Sequence, residues 1–542
     1  MRKILPFLLI GFIATSFTLV KKDRLYEISK NIEIFVKAYK ELNANYVDDL
    51  DPHKLMKIGL DAMVNSLDPY TNYISESQVE SYRINTEGKY EGIGATVKKI
   101  GDYITIVEPY QNSPLQKAGV VAGDQVVSVS GKSTKGKSVE EVTQFVRGVP
   151  GTKLKLEIKR PSTGESLDLD IERGSVEVPN VPYSGMVDDK IGYISLTTFT
   201  PNATKNISKA FKKLKRENDN LEGVILDLRY NGGGLLREAI DICNLFIPQG
   251  EEVVFTKGKV RERDRNFDTT KPPLDLDIPL AILINKNSAS ASEIVSGVIQ
   301  DLDRGILLGQ RSFGKGLVQN TMELGYNSRI KLTTSKYYIP SGRCIQGKEY
   351  DNGEPVDIPD SERSTFKTKS GRPVLDGGGV TPDVVMEAKK VPVVLQKLLE
   401  ENIIFNYVTD YVAKHPNQDS TVQVVVFDEF DNFKSFLNTQ DFDYETETEK
   451  QLKVLKDAIE EDGYSDLLNT DIAAFDQRIE QEKIGAVEAA SADIINAIQE
   501  DIASRYFYQS GRAFQKLADD REVDAAIAIL RDETKYKQLL SK

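Results

Sequence analysis

The chain has 542 residues, length enough for roughly three to four domains, and its 40% apolar content is that of ordinary globular protein. A formal net charge of −13 argues against nucleic acid and anionic membrane surfaces as partners. Two cysteines, far apart and without a Cys/His cluster, exclude a disulfide framework and a structural zinc site, and no motif calls for a metal or cofactor.

The amino terminus is a basic Met1-Arg2-Lys3 followed by an apolar run over residues 4–13. Small residues Ala14-Thr15-Ser16 offer a cleavage site, and the uncut run to Val20 is about long enough for a short inner-membrane anchor. Residues 1–20 are therefore expected to be an export signal, cleaved or retained, and the chain a cell-envelope protein facing the periplasm. Residues 21–83 read as helices. One apolar face carries Ile32, Phe35, Tyr39 and Leu42, and another carries Leu55, Ile58, Met63 and Leu67. This region is expected to support the fold or a homo-oligomer.

Over residues 84–175 the pattern changes to short strands and glycine turns, with a helix-like stretch over residues 114–118 and a helix over residues 139–147. The order of loop, strands and helix resembles a PDZ domain. By that resemblance Gly92, Ile93, Gly94 and Ala95 form its carboxylate-binding loop. Glycines let consecutive N–H groups face one carboxylate, and an edge strand accepts a peptide as an added strand. Arg147, at the end of the helix, resembles an arginine that couples a ligand-bound PDZ to a catalytic site. It also reads as a cation on the helix C-terminus.

Residues 176–388 alternate buried strands and amphipathic helices. A strand over 223–229 runs through Tyr230-Asn231-Gly232-Gly233-Gly234 into a helix, leaving amides free at a helix start, which suits an anion. The stretch 280–319 organises the rest. An apolar strand breaks at Asn285, and Ser290 stands at the junction with a helix. A second strand follows, and then Lys315 lies between Gly314 and Gly316.

A serine at a first helical turn has free N–H groups beside it to hold an oxyanion, but needs a base. Ser290-Ala291-Ser292-Glu293 is also a capping box, which commonly does no more than start a helix. The only histidines, His53 and His415, lie in distant helical regions, so a lysine whose pKa is lowered by burial is the candidate base. Gly309 to Lys315 nearly spells a nucleotide P-loop, but Gly316 replaces the magnesium-holding hydroxyl and a strand follows where a helix should. Ser312 to Lys315 spells S-x-x-K, but its glycines make a poor helix.

Ser-Ala-Ser-Ala-Ser-Glu-Ile over residues 288–294, with Phe-Gly-Lys-Gly-Leu-Val-Gln over 313–319, resembles the carboxyl-terminal processing peptidases, tail-specific serine proteases with a Ser/Lys dyad. The resemblance implies Ser290 as nucleophile, Lys315 as base and Gln319 as the glutamine accompanying the lysine. It implies oxyanion amides at Gly233 and Ala291. Asp301 matches an acidic position sometimes counted with the catalytic set, though an unbroken helix would carry it about 16 Å from Ser290. Gly232 stands where the family often has proline.

The implied fold is α/β and α+β multidomain: a ClpP/crotonase-like protease core, an inserted PDZ domain, and helical N- and C-terminal regions. The insert over 348–378 reads as a polar surface loop. Residues 389–542 read as a helical extension packing on the body, or as an oligomerisation or gating surface. The function expected is serine endopeptidase action on protein substrates presenting a free, apolar C-terminus. The rival is an inactive PDZ scaffold that binds such tails in the envelope.

Overall fold

A computed structural model of the chain describes residues 5–79, 82, 88–351, 354–357, 359–416, 421 and 424–541. The chain divides into two units. One comprises residues 1–77 with 321–332 and 350–354, and the other comprises the remainder. The leader expected over residues 1–20 falls outside the residues whose side chains are described. Among the described residues, no helix is long and apolar enough to cross a membrane.

The smaller unit contains the helices Leu5–Asn45 and Pro52–Asn65. The second starts on Asp51, whose carboxylate accepts the N–H groups of His53 and Lys54, with proline in the first turn. Strand Asn72–Ile74 pairs antiparallel with Arg329 to Lys331. Many apolar side chains of these helices are exposed, including Leu25, Ile32, Phe35 and Leu42.

In the larger unit, a ribbon of Lys89–Gly92 against Gly174–Glu177 brackets the segment expected to be a PDZ domain. Between them, strands Ala95–Ile100, Tyr103–Pro109, Gln125–Val129, Lys153–Arg160 and Glu165–Glu172 form one sheet. Helix Val139–Val146 closes it, started by a capping box between Ser138 and Glu141. The alternating pattern of Lys153–Arg160 buries Leu154, Leu156 and Ile158 beneath that helix, beside Val142.

The second sheet runs Ser184–Met186, Ile191–Ser195, Gly223–Asp227, Leu280–Ile284, Ile306–Gly309 and Val384–Val385, parallel after the first strand. Its central strands are apolar without alternation because helices cover both faces. Ala203–Glu217, Leu236–Phe246 and Ala291–Asp301 bury one face. Pairing of Asp227 with Leu283, and of Ile284 with Gly309, keeps the strand ends level. The loops that follow therefore leave the same carboxyl edge, where open α/β sheets bind ligands.

The opposite face of this sheet is covered by the end of the chain. Helices from Val393–Glu400 to Ala490 and beyond form a core of their own around Leu398, Val408, Phe433 and Ile498. Helices Arg521–Arg531 and Glu533–Ser541 do not belong to it. They lay Val523, Ala526, Ile529 and Tyr536 on Ile191, Ile225, Leu283 and Leu308 of the sheet. The end of the chain thus packs against the core sheet. The sheet needed a second cover, and among the described residues between 176 and 388 no helix supplies one. The insert expected as a polar loop also differs. It contains the hairpin Thr365–Lys367 with Pro373–Leu375, and the buried Arg372 pairs with Asp303 and Asp383.

Candidate functional site

Strand Leu280–Ile284 leads through a short turn to Ser290, and helix Ala291–Asp301 starts at the next residue. Ser290 has φ +56 and ψ −111, a conformation that costs a non-glycine residue on the order of 1–3 kcal/mol and persists only where the surroundings impose it. The surroundings are Glu293 and Tyr337. Glu293 is completely buried and accepts four hydrogen bonds: from Ser290 N–H at 2.7 Å, Ser312 Oγ at 2.5 Å, Gly314 N–H at 2.7 Å and Lys315 N–H at 2.9 Å. Oε2 takes both the Ser290 and the Lys315 amide, so those two nitrogens lie no further apart than these two bonds laid end to end.

Tyr337 adds a second clamp. Its hydroxyl lies 3.1 Å from the carbonyl oxygen of Ser290 and 2.6 Å from that of Lys315. A third tie is the Phe313 N–H donated to the Ser288 carbonyl at 3.0 Å. The lysine loop is pressed close by backbone. A Cβ on Gly314, at φ +92, would meet Gly347 and Gly379 at 3.1 Å, and one on Gly316 would meet Gln346 N at 2.7 Å.

Burial pushes the Glu293 carboxyl up to about 7, against the pull of hydrogen bonds from Ser312, Lys315, Gly314 and Ser290. Sequence reading took Glu293 only as the far end of a capping box. Glu293 is the carboxylate in the first turn of Ala291–Asp301, a helix with every residue buried.

The Gly233 turn lies against Ser290 and Ala291. A Cβ on Gly233, at φ +100, would stand 2.9 Å from Ser290 Cβ and 3.0 Å from Ala291 N. Ala291 is the first helical residue, so its N–H is one the helix leaves without an internal acceptor. The Gly233 N–H donates to Asn231 Oδ1 at 2.9 Å. Gln319, in strand Leu317–Gly325, donates its amide to Thr333 Oγ1 at 3.1 Å.

The structure brings Ser290, Lys315, Gly233 and Ala291 together and leaves Asp301 apart. Asp301 is the last residue of Ala291–Asp301, paired with the buried Arg343 at 2.8 Å and accepting the Ser341 N–H. It anchors the far end of the helix. His415 stacks on Tyr411 at 4.2 Å, after helix Ile403–Lys414 of the C-terminal core.

The PDZ-like sheet and its helix enclose a cavity of about 380 Å³. Ile93, Gly94 and Ala95 line it with Val142 and Arg147, and so do Thr198 and Thr200 of the catalytic body. Between those threonines, Phe199 donates its N–H to the Gly233 carbonyl at 3.0 Å, and Thr198 Oγ1 reaches the same oxygen at 3.4 Å. One three-residue segment thus borders the cavity and holds the Gly233 turn.

Residues 190–356 match Peptidase family S41, residues 105–160 a PDZ domain, and residues 394–530 the "Probable PDZ-protease, C-terminal helical domain". The carboxy-terminal-processing protease of Bartonella bacilliformis is 37% identical over 320 residues, covering 59% of this chain and 73% of that protein. The chain belongs to peptidase family S41. This S41 peptidase is also 37% identical over 332 residues to the "Probable CtpA-like serine protease" of Staphylococcus aureus strain N315, covering 61% of this chain and 65% of that one. Among solved structures, the photosystem II D1 C-terminal processing protease is 23% identical over 66% of this chain and 93% of that one, with a TM-score of 0.36. The S41 peptidase is a serine-type protease carrying a PDZ domain, as its sequence implied.

Proposed function

We propose that Ser290 is the nucleophile and Lys315 its general base in cleavage near the carboxyl ends of protein substrates. The observation that carries this reading is the single Glu293 oxygen shared by the Ser290 and Lys315 amides. It fixes the roots of both side chains in one place. A neutral Lys315 amine takes the Ser290 Oγ proton as that oxygen adds to the scissile carbonyl. The oxyanion takes the N–H groups of Ala291 and Gly233, replacing Asn231 Oδ1 as acceptor at the latter. Collapse expels the substrate amine with the proton from Lys315. Water then adds to the acyl-serine by the same route, and Gln319 steadies the strand behind the lysine.

The cavity lined by Ile93, Val142 and Arg147 suits an apolar C-terminal side chain with its carboxylate at the loop Gly92 to Ala95. Substrates are therefore proteins with a free apolar C-terminus. The basic, apolar start of the chain supports export to the cell envelope, with or without an inner-membrane anchor.

The test is an unfolded reporter protein with an apolar tail, incubated with the purified chain lacking its first 20 residues. Ser290→Ala and Lys315→Ala are each expected to abolish fragment formation while tail-peptide binding persists. Full activity in Lys315→Ala would overturn the dyad.

A further inference from the structure

The carboxyl edge of the core sheet holds a second polar cluster, behind the reacting groups. Arg229 follows strand Gly223–Asp227 and precedes the oxyanion turn. Its guanidinium donates to Asp227 Oδ2 at 2.6 Å, to Asp520 Oδ2 at 2.6 Å and to Glu522. Asp227 also accepts the Tyr193 hydroxyl at 2.6 Å and the Arg229 N–H at 2.8 Å. Burial works against the charge on Arg229, but Asp227 and Asp520 more than offset it and hold the guanidinium protonated. Asp520 in turn caps helix Arg521–Arg531, accepting the N–H groups of Glu522 and Val523.

Glu522 does more than close this cluster. One of its oxygens takes Arg229, and the other takes the Gln310 side-chain amide at 2.5 Å. Gln310 is the first residue after strand Ile306–Gly309, at the root of the loop that carries Lys315. Arg229 immediately precedes Tyr230, which sits at φ +61 on the way to Gly233. A single carboxylate, near the end of a 542-residue chain, thus joins the roots of the two loops that must keep register with Ser290.

We infer that Asp520 and Glu522 are positioning residues for the peptidase reaction, and that the C-terminal segment is a strap setting the oxyanion turn against the lysine loop. The inference rests on the Ser290/Lys315 reading. Neither residue touches substrate. They act by fixing Arg229 and Gln310, and through these the strained Tyr230 and the start of the lysine loop.

The experiment uses the chain without its first 20 residues, with the tailed reporter at saturating and limiting concentrations. Glu522→Ala is expected to lower kcat about tenfold to a hundredfold, the cost of a displacement near 1 Å, with KM within about threefold. Glu522→Gln is expected to recover most of the loss, because its oxygen still accepts from Arg229 and the Gln310 amide can turn. Gln310→Ala, which cuts the lysine-loop branch together with a 3.2 Å bond to the Met386 carbonyl, is expected to show a smaller fall in kcat. Ile529→Ala weakens the same helix through its apolar face and serves as the control. The inference is overturned if Glu522→Ala keeps kcat within twofold. It is equally overturned if Ile529→Ala, compared where both variants remain folded, loses kcat as much. Cleavage surviving in Ser290→Ala would instead sink the underlying nucleophile assignment.

Discussion

Replacing Glu293 with glutamine separates what this carboxylate does for activity from what it does for stability. The glutamine oxygen can sit where Oε2 accepts from Ser290 and Lys315. Its NH2 then faces Ser312 Oγ, which can turn to accept, and the Gly314 N–H, which cannot. One unmet buried donor costs about 1–3 kcal/mol. Against this, the native carboxyl has been raised from 4.5 to about 7 by burial. Between those two pH values the folded chain keeps a proton that the unfolded chain has lost. Wild-type stability therefore falls as pH rises through this window, by about 3 kcal/mol in all, and is level above it. The variant has no such group. It should be less stable than wild type by about 1–3 kcal/mol at pH 5 and close to equal at pH 8. Activity should not recover with it. Gly314 moves off its anchor and takes Lys315 along, so kcat is expected to fall about a hundredfold at pH 8. Urea unfolding at the two pH values and saturating cleavage of the tailed reporter measure both. A kcat within threefold of wild type, or a stability gap that widens with pH, refutes the reasoning.

Tyr337→Phe removes the hydroxyl that holds the Ser290 and Lys315 carbonyls, and should cost about 1–2 kcal/mol with a fall in kcat at unchanged KM. Unfolding and steady-state kinetics on one preparation would register both. Gly233→Ala places a methyl 2.7 Å from the Ala289 carbonyl and 2.9 Å from Ser290 Cβ, at φ +100. Cleavage should drop about a hundredfold or more while tail-peptide affinity, read by fluorescence anisotropy, holds. Arg147→Ala takes a cation from the wall of the PDZ cavity. Binding of a free-carboxylate tail should weaken toward that of the same tail amidated, and equal affinity for the two tails in wild type would remove the carboxylate from the recognition scheme.

The catalytic strands and helices were legible because their burial is extreme. Leu280–Ile284 and Ile306–Gly309 are short unbroken apolar runs, and Ala203–Glu217 keeps the helical period with basic residues outward. The glycines around Lys315 advertised close backbone approach, and Gly347, Gly379 and Gln346 supply it. The role of Glu293 was hidden because its three distant donors lie about twenty residues downstream, and a capping box already accounted for it. Which part of the body the end of the chain covers was hidden for a similar reason. Helix Arg521–Arg531 has an ordinary amphipathic stripe, and a stripe does not say which of two cores it covers. Asp520 and Glu522 sit about 290 residues from Arg229, a separation no local pattern spans.

A serine–lysine pair asks more of its scaffold than a histidine triad does. A histidine is poised near neutral pH and is commonly oriented by a carboxylate bonded to its ring. A lysine has no ring to orient, and must lose its charge to act as a base, so a carboxylate bonded to its ammonium would oppose catalysis. The acidic groups of this chain are placed accordingly. Glu293 holds the backbone on either side of the pair through N–H groups, and Tyr337 does so through carbonyls. Asp227, Asp520 and Glu522 are gathered on Arg229, whose guanidinium already draws on their charge. Rigidity is thereby supplied at the main chain, and the negative charge that provides it is engaged by amides and by an arginine. This division explains why Asp227, Glu293, Asp520 and Glu522 gather around the loops at the sheet edge, and why two of them are contributed by the end of the chain.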